Sequence, residues 1–378
     1  MTRKLKRIIK WSALALLLAS AVWFEVAYWR STNECDSASA SPASPMSAVR
    51  FCEYGSPDVV ALASVEKPVP NDNQVLVKVR AASLNAFDVY RIRDSWVSRF
   101  AFGLRKPADT RLGRDVAGVV EAVGKNVTEF KPGDEVFGTC LGTLAEYAVS
   151  SGRGLVIKPP GVLFEEAASV PLAGMTALQG LRHGNIQPGQ KVLINGATGG
   201  VGTIAVQIAK SLGAEVTAVC STRNIELVRS LGADHVIDYT KENFTKGDQR
   251  YDVIFDNVGN HSFSARRRVL TPNGICVLVG IGGAAAKGSE AVGRIAGTFA
   301  AAGRSAFGGQ KFAQYVTTTS KEDLVLLGSL IEAGKLKPVI ERTYQLADAP
   351  EALRHLEAGH ARGKLVITMQ SPSAISPR

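Results

Sequence analysis

Two rhythms of apolar and polar positions divide the chain. From Ala48 to about Lys158, short Val-rich runs such as "DNQVLVKVRAASL" and "AGVVEAVG" are bounded by Gly, Pro, Asn and Asp, and read as short strands. In "FKPGDEVFGT", Pro132-Gly133-Asp134 supply a turn that leads into a further strand. After "EEAASVPLAGMTALQGLR", which reads as helix, strands and helices alternate. "KVLINGA", "EVTAVC", "HVIDY", "YDVIFDNVG" and "GICVLVGI" are predicted strands, separated by helices over 200–212, 224–231 and 262–270. Fully apolar strands alternating with helices demand a parallel sheet covered on both faces. The remainder predicts a helix over 322–333, a strand "PVIERTY" and a helix over 350–358. The strand "GKLVITM" has no place in such a sheet and is expected to return to the first domain. The fold class is therefore α/β: a doubly wound Rossmann parallel sheet with a separate β-rich domain.

The ends differ from this body. Residues 1–30 open with Arg3, Lys4, Lys6, Arg7 and Lys10 and continue as an apolar run from Trp11 to Phe24, interrupted at Glu25. Counted from Ile8 to Trp29, the segment approaches the roughly 20 residues that span a bilayer, with Trp and Tyr near its ends. A single membrane anchor is expected, and a cleaved signal with "ASA" at residues 19–21 is the competing reading. Residues 31–45, rich in Ser, Ala and Pro, cannot build a core and form a linker. The expected boundaries are 46–170 for the β-rich domain, 171–309 for the Rossmann domain, 310–370 for the return and 371–378 for a tail.

At 378 residues, 46% apolar and 21% charged, the composition suits two folded domains. Half of the net charge of +10 lies in the first ten residues, and no basic stripe interleaved with aromatics accompanies the rest, so no nucleic-acid partner is expected. Five dispersed cysteines without a C-x-x-C pair argue against a disulfide scaffold and a tetracysteine zinc lobe.

The strongest chemical signal is "INGATGGVGTIAVQIAK", in which a buried strand meets a glycine-rich turn and then an amphipathic helix. Ala197, Gly199 and Gly202 occupy the three glycine positions of G-x-G-x-x-G. Gly199 admits a pyrophosphate and Gly202 allows the helix to pack closely on the strand. The helix N-terminus supplies N–H groups and positive potential. About twenty residues on, "CSTRN" carries no acid where an NAD site would place one. Ser221 and Thr222 offer hydroxyls and Arg223 a phosphate-matching fork, so NADPH is the expected cofactor.

With "EYGSPDVV", "LGRDVAGVVEAVG", "FKPGDEVFG", "AASVPLAGMTALQGL", "GATGGVG", "LGADHVIDY" and "RGKLVI", residues 46 to about 369 resemble the medium-chain dehydrogenase/reductase superfamily. Within it they resemble the zinc-independent quinone oxidoreductase branch and bacterial NAD(P)-dependent alcohol dehydrogenase-like proteins. The resemblance implies a GroES-like catalytic domain. It also implies cofactor contacts at Thr198, Gly200 and Val201 around the pyrophosphate, Ser221 at the 2′-phosphate, Tyr239 beside the adenosine and Thr176 near the nicotinamide. Lys364 either reaches the phosphates or is a solvated lysine. Asn85 and Arg114 stand where zinc members carry a cysteine and a histidine, so no metal is expected.

Without zinc to polarise a carbonyl, the expected chemistry is hydride transfer to a quinone or an α,β-unsaturated carbonyl. Tyr90 is the candidate hydrogen-bond donor to the developing oxyanion, against the plainer reading of a residue lining the cleft. Asn85 is the candidate for orienting substrate or nicotinamide, and Asp88 and Arg91 are expected to form a structural pair. A homodimer is implied by the resemblance alone. The alternative function is a non-enzymatic NADPH-binding regulatory or RNA-binding protein on the same fold. Charge asymmetry across the apolar segment puts the body on the far side of the membrane. NADPH supply argues for the cytoplasm, so the side stays open.

Overall fold

A computed structural model describes residues 42–279 and 309–369, together with 32–36, Val22, Glu25, Val26 and Tyr28. Most of the expected anchor, the loop 282–308 and the tail lie outside the described residues. Among the described residues no helix is long and apolar enough to cross a membrane.

The first half contains β1 (Pro45–Phe51), β2 (Val60–Glu66), β3 (Val75–Ser83), α1 (Ala86–Ile92), α2 (Trp96–Phe102), β4 (Asp115–Val123), β5 (Glu135–Thr139), β6 (Tyr147–Ser150) and β7 (Leu155–Ile157). Strands β3, β4, β5 and β7 pair antiparallel in that order, and β6 also pairs with β3. Register shifts between Leu76 and Val77 and between Val79 and Ala81 curl the β3–β4 ribbon. Gly118, opposite Val79, belongs to the second irregularity, since a Cβ there would lie 2.3 Å from the Lys78 carbonyl oxygen. This sheet is the GroES-like unit.

Helices α3 (Phe164–Ala168) and α4 (Pro171–His183) lead into β8 (Lys191–Asn195), α5 (Gly200–Ser211), β9 (Glu215–Cys220), α6 (Ile225–Ser230), β10 (His235–Asp238), β11 (Tyr251–Asp256), α7 (Phe263–Arg268) and β12 (Leu270–Val279). Further along the chain come β13 (Lys311–Tyr315), α8 (Lys321–Glu332), β14 (Ile340–Gln345), α9 (Ala349–Glu357) and β15 (Lys364–Thr368). The order β10-β9-β8-β11-β12-β13 is parallel throughout, as in a Rossmann sheet.

Alternate strand residues feed two cores. Val192, Ile194, Val216, Val253 and Phe255 pack with Ile204 and Ile208 of α5, whereas Leu193, Val219, Ile254 and Cys276 pack with Phe244 and Leu270. Burial pushes the Cys220 thiol pKa up to about 11, so it behaves as a small apolar group. Strand β15 runs parallel to β14 and antiparallel to β3, with Val366 opposite Ser83. This last strand brings the C-terminal segment onto the first domain, against the residues that matter below.

The cysteine spacing gave no sign of one link. Cys35 and Cys52 form a disulfide across 17 residues, with Cα atoms 5.9 Å apart. Asn33 Nδ2 donates to the Cys52 carbonyl at 2.8 Å, and Arg50 pairs with Glu34 at 2.6 Å. The linker, expected to be flexible, is thus fastened at residues 33–35 to the end of β1 and to Cys52 just beyond it. One staple of this kind is not a dense disulfide framework, and Cys140, Cys220 and Cys276 remain free thiols.

Candidate cofactor and acceptor site

At the end of β8 the chain turns at Gly196, whose φ of +81° favours glycine. Ala197 is buried, with its N–H on the Val219 carbonyl at 3.2 Å. A Cβ on Gly202 would lie 2.1 Å from the Gly196 carbonyl oxygen, so α5 can approach the strand only with glycine there. Gly199 contrasts with this: the nearest atom to its ideal Cβ is Gly196 O at 3.8 Å, and its outer side is open. Gly199 caps α5, whose first-turn N–H groups point out of the helix. Val201 packs partly against the core.

Beyond this loop, Asn224 reaches Thr198 Oγ1 at 3.4 Å and Ser221 Oγ at 3.3 Å through its amide nitrogen. Its Oδ1 is buried and has no hydrogen-bond partner among the described residues. A buried orphan acceptor between the phosphate loop and Ser221 fits the hydroxyl-bearing ribose of a dinucleotide. Asn224 was not singled out by the sequence, although it closes the "CSTRN" stretch.

Ser221 is half-buried, and Arg223 is exposed with one N–H on the His360 carbonyl at 3.0 Å. Tyr239 is 57% exposed on the neighbouring strand end. Thr222 is engaged elsewhere, since its hydroxyl donates to Asp238, which also accepts from Thr240 at 2.7 Å. These hydroxyls hold the Asp238 carboxyl down at about 2. An acid therefore does stand near the adenosine end, delivered by β10, where Asp238 pairs with Cys220.

Thr176 lies in α4, its hydroxyl on the Leu172 carbonyl at 2.7 Å and 2.9 Å from Thr317 Oγ1. Tyr315 donates to the Thr176 carbonyl.

Across the cleft, Asp115 is fully buried and gathers four elements. Its Oδ2 accepts from Ser83 Oγ at 2.8 Å, Asn85 Nδ2 at 2.9 Å and Lys364 Nζ at 3.1 Å, and its Oδ1 from the Leu172 N–H at 2.8 Å. Lys364 Nζ also donates to Asn85 Oδ1 at 2.7 Å. Asn85 thus has its amide turned into this cluster, and Lys364, only 5% exposed, is neither solvated nor extended along the loop. Its stem crosses the loop instead: Cδ would be 2.7 Å from a Cβ on Gly200.

Tyr90 is half-buried on α1. Its ring centroid is 5.9 Å from the Arg93 guanidinium, and its carbonyl accepts from Ser98 Oγ at 2.8 Å. Arg114 stands over Phe87 at 5.4 Å, with its Nε buried and unpartnered among the described residues. Asp88 and Arg91 do not bond to each other. Asp88 accepts from the Asn85 and Gly113 N–H groups, and burial raises its pKa. Arg91 donates to the Asp109 and Arg111 carbonyls. Among the described residues no group of three or more His, Cys, Asp or Glu side chains could hold a metal.

A GroES-like sheet joined to a Rossmann sheet, with a glycine loop facing a polar cluster, defines a nicotinamide-dependent dehydrogenase or reductase. Residues 71–171 match the alcohol dehydrogenase GroES-like domain family, and 231–367 the zinc-binding dehydrogenase family. The chain is 35% identical to 2-methylene-furan-3-one reductase of Solanum lycopersicum, over 88% of this chain and 81% of that protein. It is 34% identical to the chloroplastic NADPH-dependent alkenal/one oxidoreductase of Arabidopsis thaliana, over 87% and 81%. The quinone oxidoreductase structure from Coxiella burnetii superposes with a TM-score of 0.74 at 30% identity, over 86% of this chain and all of that one. The chain belongs to the medium-chain dehydrogenase/reductase superfamily and is an NAD(P)H-dependent oxidoreductase.

Proposed function

We propose that the protein is a zinc-independent reductase that uses NADPH to deliver hydride to a quinone or an α,β-unsaturated carbonyl. The observation that carries this reading is the Asn85–Asp115–Lys364 cluster. At the positions where zinc relatives place a cysteine and a histidine, this chain has an amide bonded to a lysine and an arginine. An ammonium already inserted between Asn85 and Asp115, with the Arg114 guanidinium following in sequence, is a poor setting for a divalent cation. NADPH, when bound, supplies the hydride. The chain's part is to cradle the dinucleotide at Gly199–Gly202 and to orient it against the acceptor.

The relatives support the acceptor class, since their names specify a methylene-furanone, an alkenal or enone, and a quinone. Ser221 and Arg223 support NADPH over NADH, with Arg223 turned by its bond to the His360 carbonyl so that it bridges to the 359–362 loop. Tyr90 is the residue we assign to donating a hydrogen bond to the acceptor oxygen. The test is NADPH oxidation against a panel of quinones, enones and simple aldehydes, with metal analysis of the same preparation. Turnover of conjugated acceptors with well under one zinc per chain supports the reading; stoichiometric zinc with turnover of unconjugated aldehydes alone overturns it.

We also propose attachment to a membrane through residues 8–29. The Cys35–Cys52 disulfide favours an oxidising compartment for the body, in agreement with the basic N-terminus remaining in the cytoplasm. Cofactor supply favours the opposite side. Fractionation followed by protease treatment of intact cells decides both points, and a soluble full-length chain removes the anchor.

A further inference from the structure

Lys364 connects the two halves of the site. Gly363, immediately before it, takes a φ of +75° and bonds its N–H to the Thr198 carbonyl at 2.7 Å. A Cβ on Gly363 would lie 2.1 Å from the Val339 carbonyl oxygen, so this residue is locked between strand and loop. The Lys364 stem then passes over Gly200, the first residue of α5, and its ammonium ends on Asn85 Oδ1 and Asp115 Oδ2. The backbone of this segment is thus fixed on the phosphate loop while the charge is fixed on the far cluster.

An ammonium destined for a pyrophosphate would be expected to leave its counter-charge weakly held. Here the counter-charge is held tightly. Asp115 is fully buried and also takes the Ser83 hydroxyl and the Leu172 N–H, which opens the helix that carries Thr176. Moving Nζ to a phosphate would leave Asn85 Oδ1 without its donor and a buried carboxylate without its cation. Asn85, in turn, has both ends of its amide set by this pair: the oxygen by Lys364 and the nitrogen by Asp115.

We propose that Lys364 is a positioning residue. It fixes the Asn85 amide and the start of α4 relative to the phosphate loop, and is not a principal ligand of the cofactor phosphates. The proposal uses the hydride-transfer reading only in its kinetic arm. Its binding arm stands on the dinucleotide loop.

The test is Lys364→Met, which keeps the stem and removes the charge, read by fluorescence titration of NADPH and by turnover at saturating NADPH. The NADPH Kd should change by less than about threefold, while kcat falls by about tenfold or more, as for an interaction that acts on orientation. Asp115→Asn/Lys364→Met removes both charges, so it should recover the thermal stability lost in the single variant without recovering kcat. It replaces the single variant should that one not fold. A Kd weakened by tenfold or more with kcat within about twofold of wild type would make Lys364 a phosphate ligand and overturn the proposal. Full activity with unchanged affinity overturns it as well. If the wild type turns over no acceptor, the function assigned above fails, and the Kd alone then decides whether Lys364 serves the phosphates.

Discussion

The two lips of the cleft solve opposite problems with similar residues. On the Rossmann side the glycine loop leaves its polar capacity unspent: open space over Gly199, first-turn N–H groups at α5 and an orphan acceptor on Asn224. On the GroES-like side every polar atom of Asp115 is committed within the chain, to Ser83, Asn85, Leu172 and Lys364. A surface that must bind a ligand is recognised by what it lacks, and a surface that must hold geometry by what it has already satisfied.

The sharpest way to break this contrast is to open the closed side. Asp115→Ala would strand a buried ammonium together with the Ser83 and Leu172 donors. We expect a loss of about 3–5 kcal/mol in unfolding free energy, the usual consequence of removing one partner of a buried pair. Chemical denaturation measures it, and a loss below about 1 kcal/mol would mean that water replaces the carboxylate and the cluster is not closed.

The open side is tested by two glycines a turn apart. Gly202→Ala would press a methyl into the Gly196 and Ala197 backbone, with nearest approaches of 2.1 and 2.8 Å. Overpacking against backbone should cost about 3 kcal/mol and disturb the loop itself. Gly199→Ala meets nothing closer than 3.8 Å, and its φ of −76° suits any residue. It should fold normally and weaken NADPH by about tenfold, because the methyl occupies the space left for the pyrophosphate. Thermal unfolding separates the pair from each other, and fluorescence titration shows whether the open space serves the cofactor.

These two regions also differ in how legible they were in the sequence. The loop was readable because its logic is local: an apolar strand, glycines at fixed offsets and a helix within seventeen residues. The alternating strands exposed the parallel sheet for the same reason. The closed cluster was not readable, because Asn85 and Lys364 meet across 279 residues through the antiparallel pairing of β15 with β3. Local pattern could assign Lys364 only to the phosphates or to solvent. Asp238 was illegible for a similar reason: the end of β9 carries no acid, and the neighbouring strand supplies one in register with Cys220. The Cys35–Cys52 link has no sequence signature at all, since spacing alone does not fix pairing.

At the adenosine end the contrast can be sharpened by charge. Arg223 spends one N–H on His360, which leaves most of its fork facing outwards. Arg223→Asp should therefore cut the preference for NADPH over NADH by roughly ten- to a hundredfold, the worth of one or two charge-assisted phosphate bonds of about 1.5–3 kcal/mol. Parallel titrations with the two cofactors measure the ratio. An unaltered ratio would return Arg223 to a purely structural bridge.

The smallest effect concerns Thr222, which belongs by position to the open side but has been captured by the closed kind of bonding. Its hydroxyl is the leading cause of the low Asp238 pKa, followed by that of Thr240. Because the folded-state value is depressed, the group's contribution to stability is present above its ordinary value of 3.8 and is lost as pH falls from there through about 2. Thr222→Val should raise the Asp238 pKa towards 3.8 and narrow that window from below, lowering stability at neutral pH, where the carboxylate is ionised in either protein, and leaving it unchanged below about 2. A carbon-detected titration of the Asp238 carboxyl reads the shift directly. Cofactor affinity should move by less than about threefold, because a hydroxyl already bonded to Asp238 contributes little to a phosphate. A larger fall in NADPH affinity would show that Thr222 releases Asp238 when the cofactor binds, and would place it with Ser221 and Arg223 on the open side.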